Sequence, residues 1–569
     1  MINPLKLISI LNADGSRTAT TTLGKSTEQR EKEIAVKTNK VVPVVFIPGI
    51  MGTNLWNTRT KKIAWIAPNT DTIPAKFGAV GSFVSALFSS AKDRQNDLDG
   101  RKGMITTYHD GPIRTEGLIE SLSKEELKKR GWGGIMRSAY HPIMISIQNE
   151  MNTIMLDQAL QGWWKNHSDL HPADWGDWNN NPPLSAIDNS AELKHSAEIT
   201  YEVWAGGYNW LQSNKDSAKD IMDLIDNKIL PNYPTAKKVI IVTHSMGGLV
   251  ARAMVGAYGY DKIYGIIHGA MPATGAPAAY RRIRAGFEGE GIEGFVTRQI
   301  LGPTAKETVA VLAYSRGELE LLPAANYKDG ESWLFARKRK SESLARRDES
   351  DKDFIMLPTA GDPYEEIYKS QKWWGLIPKE SEILIDPNEF QGDEEEITFG
   401  IPQGKRAIFE DNIENTKIFH DAIKTAYHPF TYVHYSADAE AEKLITWGDI
   451  VWETDWVGWE DPQKLSITND DYTGIIELGA GRRFTFAPKL TPGDGTVPVS
   501  SSASSRAFPE VKAAFAHGKN SIQHPNVCKT GIYNQTTGYE HQNAYNDPDG
   551  RTLYATLYSI VRLSVHVEI

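Results

Sequence analysis

The run KVIIVTHSMGGLVARAM at 238–254 limits the fold more than any other stretch of the chain. Val239, Ile240, Ile241 and Val242 form an unbroken β-branched run, which reads as a strand covered on both faces. Thr243-His244-Ser245-Met246-Gly247-Gly248 follows with no room for a loop, and Leu249, Val250, Met254 and Val255 then recur at helical spacing. A strand that turns sharply into a helix, with a serine at the apex, is the geometry that lifts a nucleophile clear of a sheet. The helix N-terminus behind it favours negative charge developing nearby. The pentapeptide reads T-x-S-x-G, so Thr243 stands where strand and helix pass close and a smaller residue is usual. A nucleotide-binding turn would instead want G-x-G-x-x-G after the first strand, and that string is missing.

A serine nucleophile needs a base, an acid to orient the base, and donors for the oxyanion. The strand at 44–47 ends in PGIMGT, whose glycines at 49 and 52 let backbone approach a substrate carbonyl closely. The expected oxyanion donors are the N–H of Met246, after the serine, and that of Ile50 or Met51. In this fold the order along the chain is Ser, acid, His. The acid candidate is Asp494, in a tight loop TPGDGTVP. Three histidines follow it, and the base belongs on a loop between the last strand and the last helix. Residues 551–563 are the long helical pattern at the end of the chain, with Leu553, Leu557, Ile560 and Val561 on one face. His541 precedes that helix by a short loop and is the first candidate, His524 is the alternative, and His517 belongs to a strand. His268, ending the strand at 262–268, reads as a packing or hydrogen-bonding residue.

Lys plus Arg number 62 and Asp plus Glu 72, a net charge of −10 over 569 residues, which argues against nucleic acid as a partner. The single cysteine, Cys528, excludes an intrachain disulfide. The N-terminus lacks a basic leader and no stretch approaches the ~20 apolar residues of a membrane span. The expectation is a soluble protein made in the cytoplasm without a Sec-type signal. Residues 1–40 read as a polar extension and 41–569 as one α/β unit, interrupted by cap insertions at about 57–198 and 278–429. The apolar stripe from Phe77 to Phe88 predicts a helix packed on the body. Residues 217–233 predict an amphipathic helix, 431–436 a strand, 441–457 a hairpin, and the charge run starting at Arg337 a solvated face. The turn from Asn546 to Gly550 lacks the downstream glutamate of a calcium loop, so no metal or cofactor is assigned.

Five pieces, FIPGIMGTNL, GGYNW, VTHSMGGLVAR, KIYGIIHGAMPATGAP and GDGTVPVSSS, fall in one order that resembles the lecithin:cholesterol acyltransferase family of lipases and acyltransferases. The resemblance implies an α/β-hydrolase with a mostly parallel central sheet and helices on both faces. It also implies action on ester-linked acyl chains of lipids at a membrane surface, with motif residues on Ser245, Asp494 and a C-terminal histidine. The IQH string at His524 is similar to one member's catalytic stretch. Long caps, no leader and no disulfide are similar to the bacterial lipases that type VI secretion systems inject into competitors. That likeness implies an immunity or secretion-carrier partner. Ester hydrolysis is the expected reaction. Acyl transfer to an alcohol, or a silent binding module on a hydrolase scaffold, are the alternatives.

Overall fold

The computed structural model describes residues 40–69, 90–156, 159–167, 184–187, 191–288, 302–339, 354–388, 404–438, 441–456, 461–518 and 538–568, less positions 102, 120–121, 480 and 547–549, with residue 172 and four short strands ahead of residue 36. Six strands build the central sheet: β1 (Val41–Ile47), β2 (Thr200–Ala205), β3 (Val239–His244), β4 (Ile263–Gly269), β5 (Thr431–Ser436) and β6 (Val511–His517). They lie in the order β2-β1-β3-β4-β5-β6, and every pairing is parallel.

The apolar runs explain this sheet. Successive side chains point to opposite faces, so an unbroken apolar strand must bury both. Val45, Ile47, Val239 and Ile241 join one core, while Val44, Phe46, Ile240 and Val242 join another. Six helices matter for the site: α1 (Arg137–Glu150), α2 (Asn214–Leu224), α3 (Gly247–Gly256), α4 (Pro277–Ala285), α5 (Lys405–Ile423) and α6 (Arg551–Ser564). Ile221 of α2, Val250 of α3, Ile283 of α4 and Phe409 of α5 enter the first core. Ile143 of α1 and Leu557, Ile560 and Val561 of α6 enter the second. Each such side chain, fully buried, contributes roughly 1.5–3 kcal/mol.

The stretch expected as one helix at 217–233 divides into α2, a π-helical turn over Ile225–Ile229 and a short 3₁₀ turn over Leu230–Asn232. The hairpin expected at 441–457 does not form among the described residues. Ile450–Thr454 instead lies inside a second six-stranded sheet, parallel to Leu334–Lys338 and antiparallel to Arg482–Phe486. Its alternate residues Ile450 and Trp452 are completely buried, so one face of this strand packs into the first core. The sheet takes strands from both sides of β5, so it crosses the boundary set at residue 429.

Arg337 pairs with Glu453 across that sheet at 3.0 Å, and Arg339 with Asp455 at 3.0 Å. The start of the basic run is therefore tied down by acidic partners. The stripe from Phe77 to Phe88 lies outside the described residues. Among the described residues no helix is long and apolar enough to cross a membrane.

Candidate active site

Ser245 occupies the turn from β3 into α3 with a left-handed φ of 51°, a conformation that L-residues with a side chain avoid. Close packing imposes it. A Cβ on Gly247 would lie 2.5 Å from the carbonyl oxygens of Ile47 and Pro48, and one on Gly248 would lie 2.6 Å from the Met271 sulfur. The helix thus begins jammed between the loops after β1 and β4. Thr243, larger than the residue usual there, has a specific use: its hydroxyl lies 2.9 Å from His268 Nδ1, while its carbonyl accepts the Tyr545 hydroxyl at 2.9 Å. Burial pushes the His268 ring down to about 3, so it stays neutral.

The Ser245 hydroxyl lies 2.8 Å from His541 Nε2, and His541 Nδ1 lies 2.7 Å from Asp494 Oδ2. The other Asp494 oxygen accepts the N–H groups of Thr496 at 3.0 Å and Val497 at 2.7 Å. The His541 N–H donates to the Asp494 carbonyl at 2.8 Å, so acid and imidazole are fixed to one another by backbone as well as side chain. The tight loop has a steric basis. Gly495 has a φ of 86°, and a Cβ on Gly493 would lie 2.3 Å from the Val497 carbonyl oxygen. His541 opens a short 3₁₀ turn between β6 and α6. His517 ends β6, its ring stacked on that of His434 with centroids 6.0 Å apart. His524 lies outside the described residues. Among the described residues His541 is the partner of the Ser245 hydroxyl.

The N–H groups of Met246, Ile50 and Met51 donate to no group among the described residues. Met51 is left-handed at φ 61°, with its carbonyl held by the Trp65 indole N–H at 2.8 Å. The motif glycines, expected to make room for a substrate, make room for the protein itself. A Cβ on Gly49 would lie 2.8 Å from His244 Nδ1 and 3.0 Å from the Ser245 Cβ; one on Gly52 would lie 2.8 Å from the Tyr140 ring and hydroxyl. GGYNW also braces this loop: the Tyr208 N–H donates to the Thr53 hydroxyl at 3.2 Å, and the Trp210 indole to the Thr53 carbonyl at 3.2 Å.

Ser245, His541, Ile50 and Met51 open on a cavity of about 640 Å³, whose far wall includes Leu312 and Ile283. That volume is in the range of small-molecule sites. Glu318 is also in the wall. Burial pushes its carboxyl up to about 8, against the opposing pull of Arg282. Sequence reasoning passed over two residues beside the serine, His244 and Tyr140, whose ring centroids are 5.5 Å apart. Among the described residues no group of three or more His, Cys, Asp or Glu is placed to hold a metal ion.

Parallel strands all end at the same edge of a sheet, and Ser245 stands at that edge, strained, at the head of a helix that packs back on the sheet. A chain so built is an α/β-hydrolase. Residues 188–332, which run from before β2 to beyond α4 and include Ser245, match the PGAP1-like alpha/beta domain family. A chain in the crystal structure of the Tle4–Tli4 complex is 35% identical, with 93% of this chain and 99% of that one covered and a TM-score of 0.77. The chain belongs to the Tle4 family of α/β-hydrolases. No curated protein sequence matches it.

Proposed function

We propose that the chain is a serine ester hydrolase that releases acyl chains from phospholipids or other acyl lipids. His541 takes the Ser245 proton as the oxygen attacks the ester carbonyl, and Asp494 stabilises the imidazolium. The tetrahedral oxyanion is held by the N–H of Met246 and that of Ile50 or Met51. The imidazolium protonates the leaving alcohol; water, deprotonated by His541, then attacks the acyl-enzyme carbonyl, the bond to Ser245 Oγ breaks with return of the proton to that oxygen, and the fatty acid leaves. One such donor is worth about 3 kcal/mol in the transition state, so the loop after β1 matters nearly as much as the serine. The observation that carries the reading is the chain of contacts at 2.8 and 2.7 Å from Ser245 through His541 to Asp494, opening on a cavity whose walls combine apolar side chains with charged ones.

Membership of the Tle4 family, with the likeness to type VI lipases read from the sequence, supports delivery of the folded protein into a target cell. The Tle4–Tli4 complex supports a dedicated immunity protein as partner. Residues 41–569 act as one catalytic unit, with the insertions as caps over the site. The test is a fluorophosphonate probe and labelled phosphatidylglycerol or phosphatidylethanolamine vesicles, applied to wild type, Ser245→Ala, His541→Ala and Asp494→Asn. Wild type should label and release fatty acid, and each variant should lose about 10³-fold or more in kcat. Hydrolysis that persists in Ser245→Ala would sink the proposal.

A further inference from the structure

Beneath Ser245 runs a chain of hydrogen bonds whose directions are all fixed. His244 Nε2 lies 2.9 Å from the His541 carbonyl oxygen, which can only accept, so Nε2 carries the hydrogen. Burial, with the neighbouring His541 adding to it, holds His244 well below its ordinary pKa, so the ring is neutral and Nδ1 is a bare acceptor. Tyr140 Oη, 3.0 Å from that Nδ1, must then donate to it. The Gly49 N–H, 3.2 Å from the same oxygen, donates to Tyr140 in turn. Gly49 opens the loop that carries Ile50 and Met51, and His541 is the base. One path of three contacts, two of them buried and the third partly so, therefore joins the oxyanion loop to the backbone of the base, passing under the serine between them.

We propose that Tyr140 and His244 are positioning residues that set the oxyanion loop and the base in register with each other. The inference rests on the proposed hydrolysis and goes beyond it, because neither side chain is placed to touch a substrate. Asp494 holds His541 by accepting from its backbone N–H at 2.8 Å and from its Nδ1 at 2.7 Å, and the His541 carbonyl accepts the Ala544 N–H of its own turn at 3.3 Å. The His244 contact at 2.9 Å is the shorter of the two at that carbonyl, and it ties the base to the end of β3, next to the serine. The sterics agree: side chains at 49 and 52 would collide with His244 Nδ1 and with Tyr140, so those glycines serve this path. Tyr140 sits on α1, within the first inserted stretch, so that insertion contributes to the alignment of the core site.

Tyr140→Phe keeps the ring and removes the link. With p-nitrophenyl butyrate it should lower kcat about 10-fold or more while KM stays within about 2-fold, because misplacement of the reacting groups is felt mainly in the transition state. Inhibition by a phenylboronic acid, which forms a tetrahedral adduct on the serine, should weaken by a similar factor. His244→Gln retains an amide N–H for the His541 carbonyl and should keep more activity than His244→Phe. The double variant Tyr140→Phe/His244→Phe should be no slower than His244→Phe alone by more than about 2-fold, since one path is broken only once. Should the position 244 variants not fold, Tyr140→Phe decides by itself. A Tyr140→Phe kcat within 2-fold of wild type, with Ser245-dependent turnover intact, overturns this inference alone. Absence of Ser245-dependent turnover in the wild type overturns the hydrolase reading and this one together.

Discussion

Ser245 is held at φ 51° ahead of Gly247 and Gly248, neither of which can accept a Cβ, so the strain sits on the residue at the apex that carries a side chain. Left-handed backbone at a non-glycine residue costs on the order of 1–3 kcal/mol, and that energy is returned when the Cβ is removed. Ser245→Gly should accordingly be more stable than Ser245→Ala by about 1 kcal/mol, after allowing for glycine's larger unfolded-state entropy. Urea unfolding of the two inactive proteins reads the difference directly. Equal stability, or a more stable alanine variant, would mean that the turn is not strained in solution. Ser245 and Asp494 were legible because each lies in a short string whose glycines and flanking strand announce a tight turn. His541 was legible from its place before α6, although 296 positions separate it from the serine it contacts. Tyr140 and His244 were not. They are 104 positions apart, and nothing local to Tyr140 distinguishes it from any other apolar helix residue. Such a pair becomes visible when the fold brings the two together.

A deeply buried polar link joins the cavity wall to the second sheet. Arg284, near the end of α4, pairs with Asp470 of the second sheet at 2.8 Å, both side chains being almost fully buried, and its guanidinium lies 5.6 Å from the Trp452 ring centre. The same helix puts Arg282 and Ile283 on the cavity wall, so this pair ties the cavity to the second sheet. Breaking one side of a buried pair leaves a charge with no water to solvate it, at a cost of about 3–5 kcal/mol. Asp470→Ala should lose about that much in denaturant unfolding, while Arg284→Met with Asp470→Leu should recover most of it. A loss below about 1 kcal/mol for Asp470→Ala would show that the pair does not hold the sheet. The central sheet was readable because apolar runs such as Val239–His244 need cover on both faces. The second sheet was not readable. Leu334–Lys338 and Ile450–Thr454 are short, mix buried with half-exposed positions, and find each other across more than a hundred residues. A short alternating run carries its period but not its partner, which is why Ile450–Thr454 looked like half of a local hairpin.

Over the whole molecule, buried titratable groups of two kinds oppose each other in their response to pH. Burial lowers His268 and His434 to about 3 and His420 to about 4, and holds His244 well below its ordinary value. The unfolded chain binds protons at these histidines near pH 6.5 and the folded one does not, so their contribution is complete above that value and is lost as the pH falls. At pH 5 the loss is about 2 kcal/mol for each of the three histidines at 3 to 4. Glu318, raised to about 8, and Glu320, raised to about 7, work the other way. Each is buried and favoured in its neutral form, so its contribution is full below the ordinary carboxyl value and is lost as the pH rises through 7 to 8. Between pH 7 and 8 the unfolded histidines lose only the last of their protons, a small stabilising change, and Glu320 is largely spent, leaving Glu318 as the carboxyl that changes most. Wild type should therefore lose about 1 kcal/mol across that interval, read as a falling midpoint of thermal unfolding. Glu318→Gln, neutral at every pH, should abolish that alkaline slope while leaving the acid limb below pH 6.5 in place. A wild-type midpoint that stays level from pH 7 to 8, or a slope that survives in Glu318→Gln, would place the titration elsewhere than in the cavity wall.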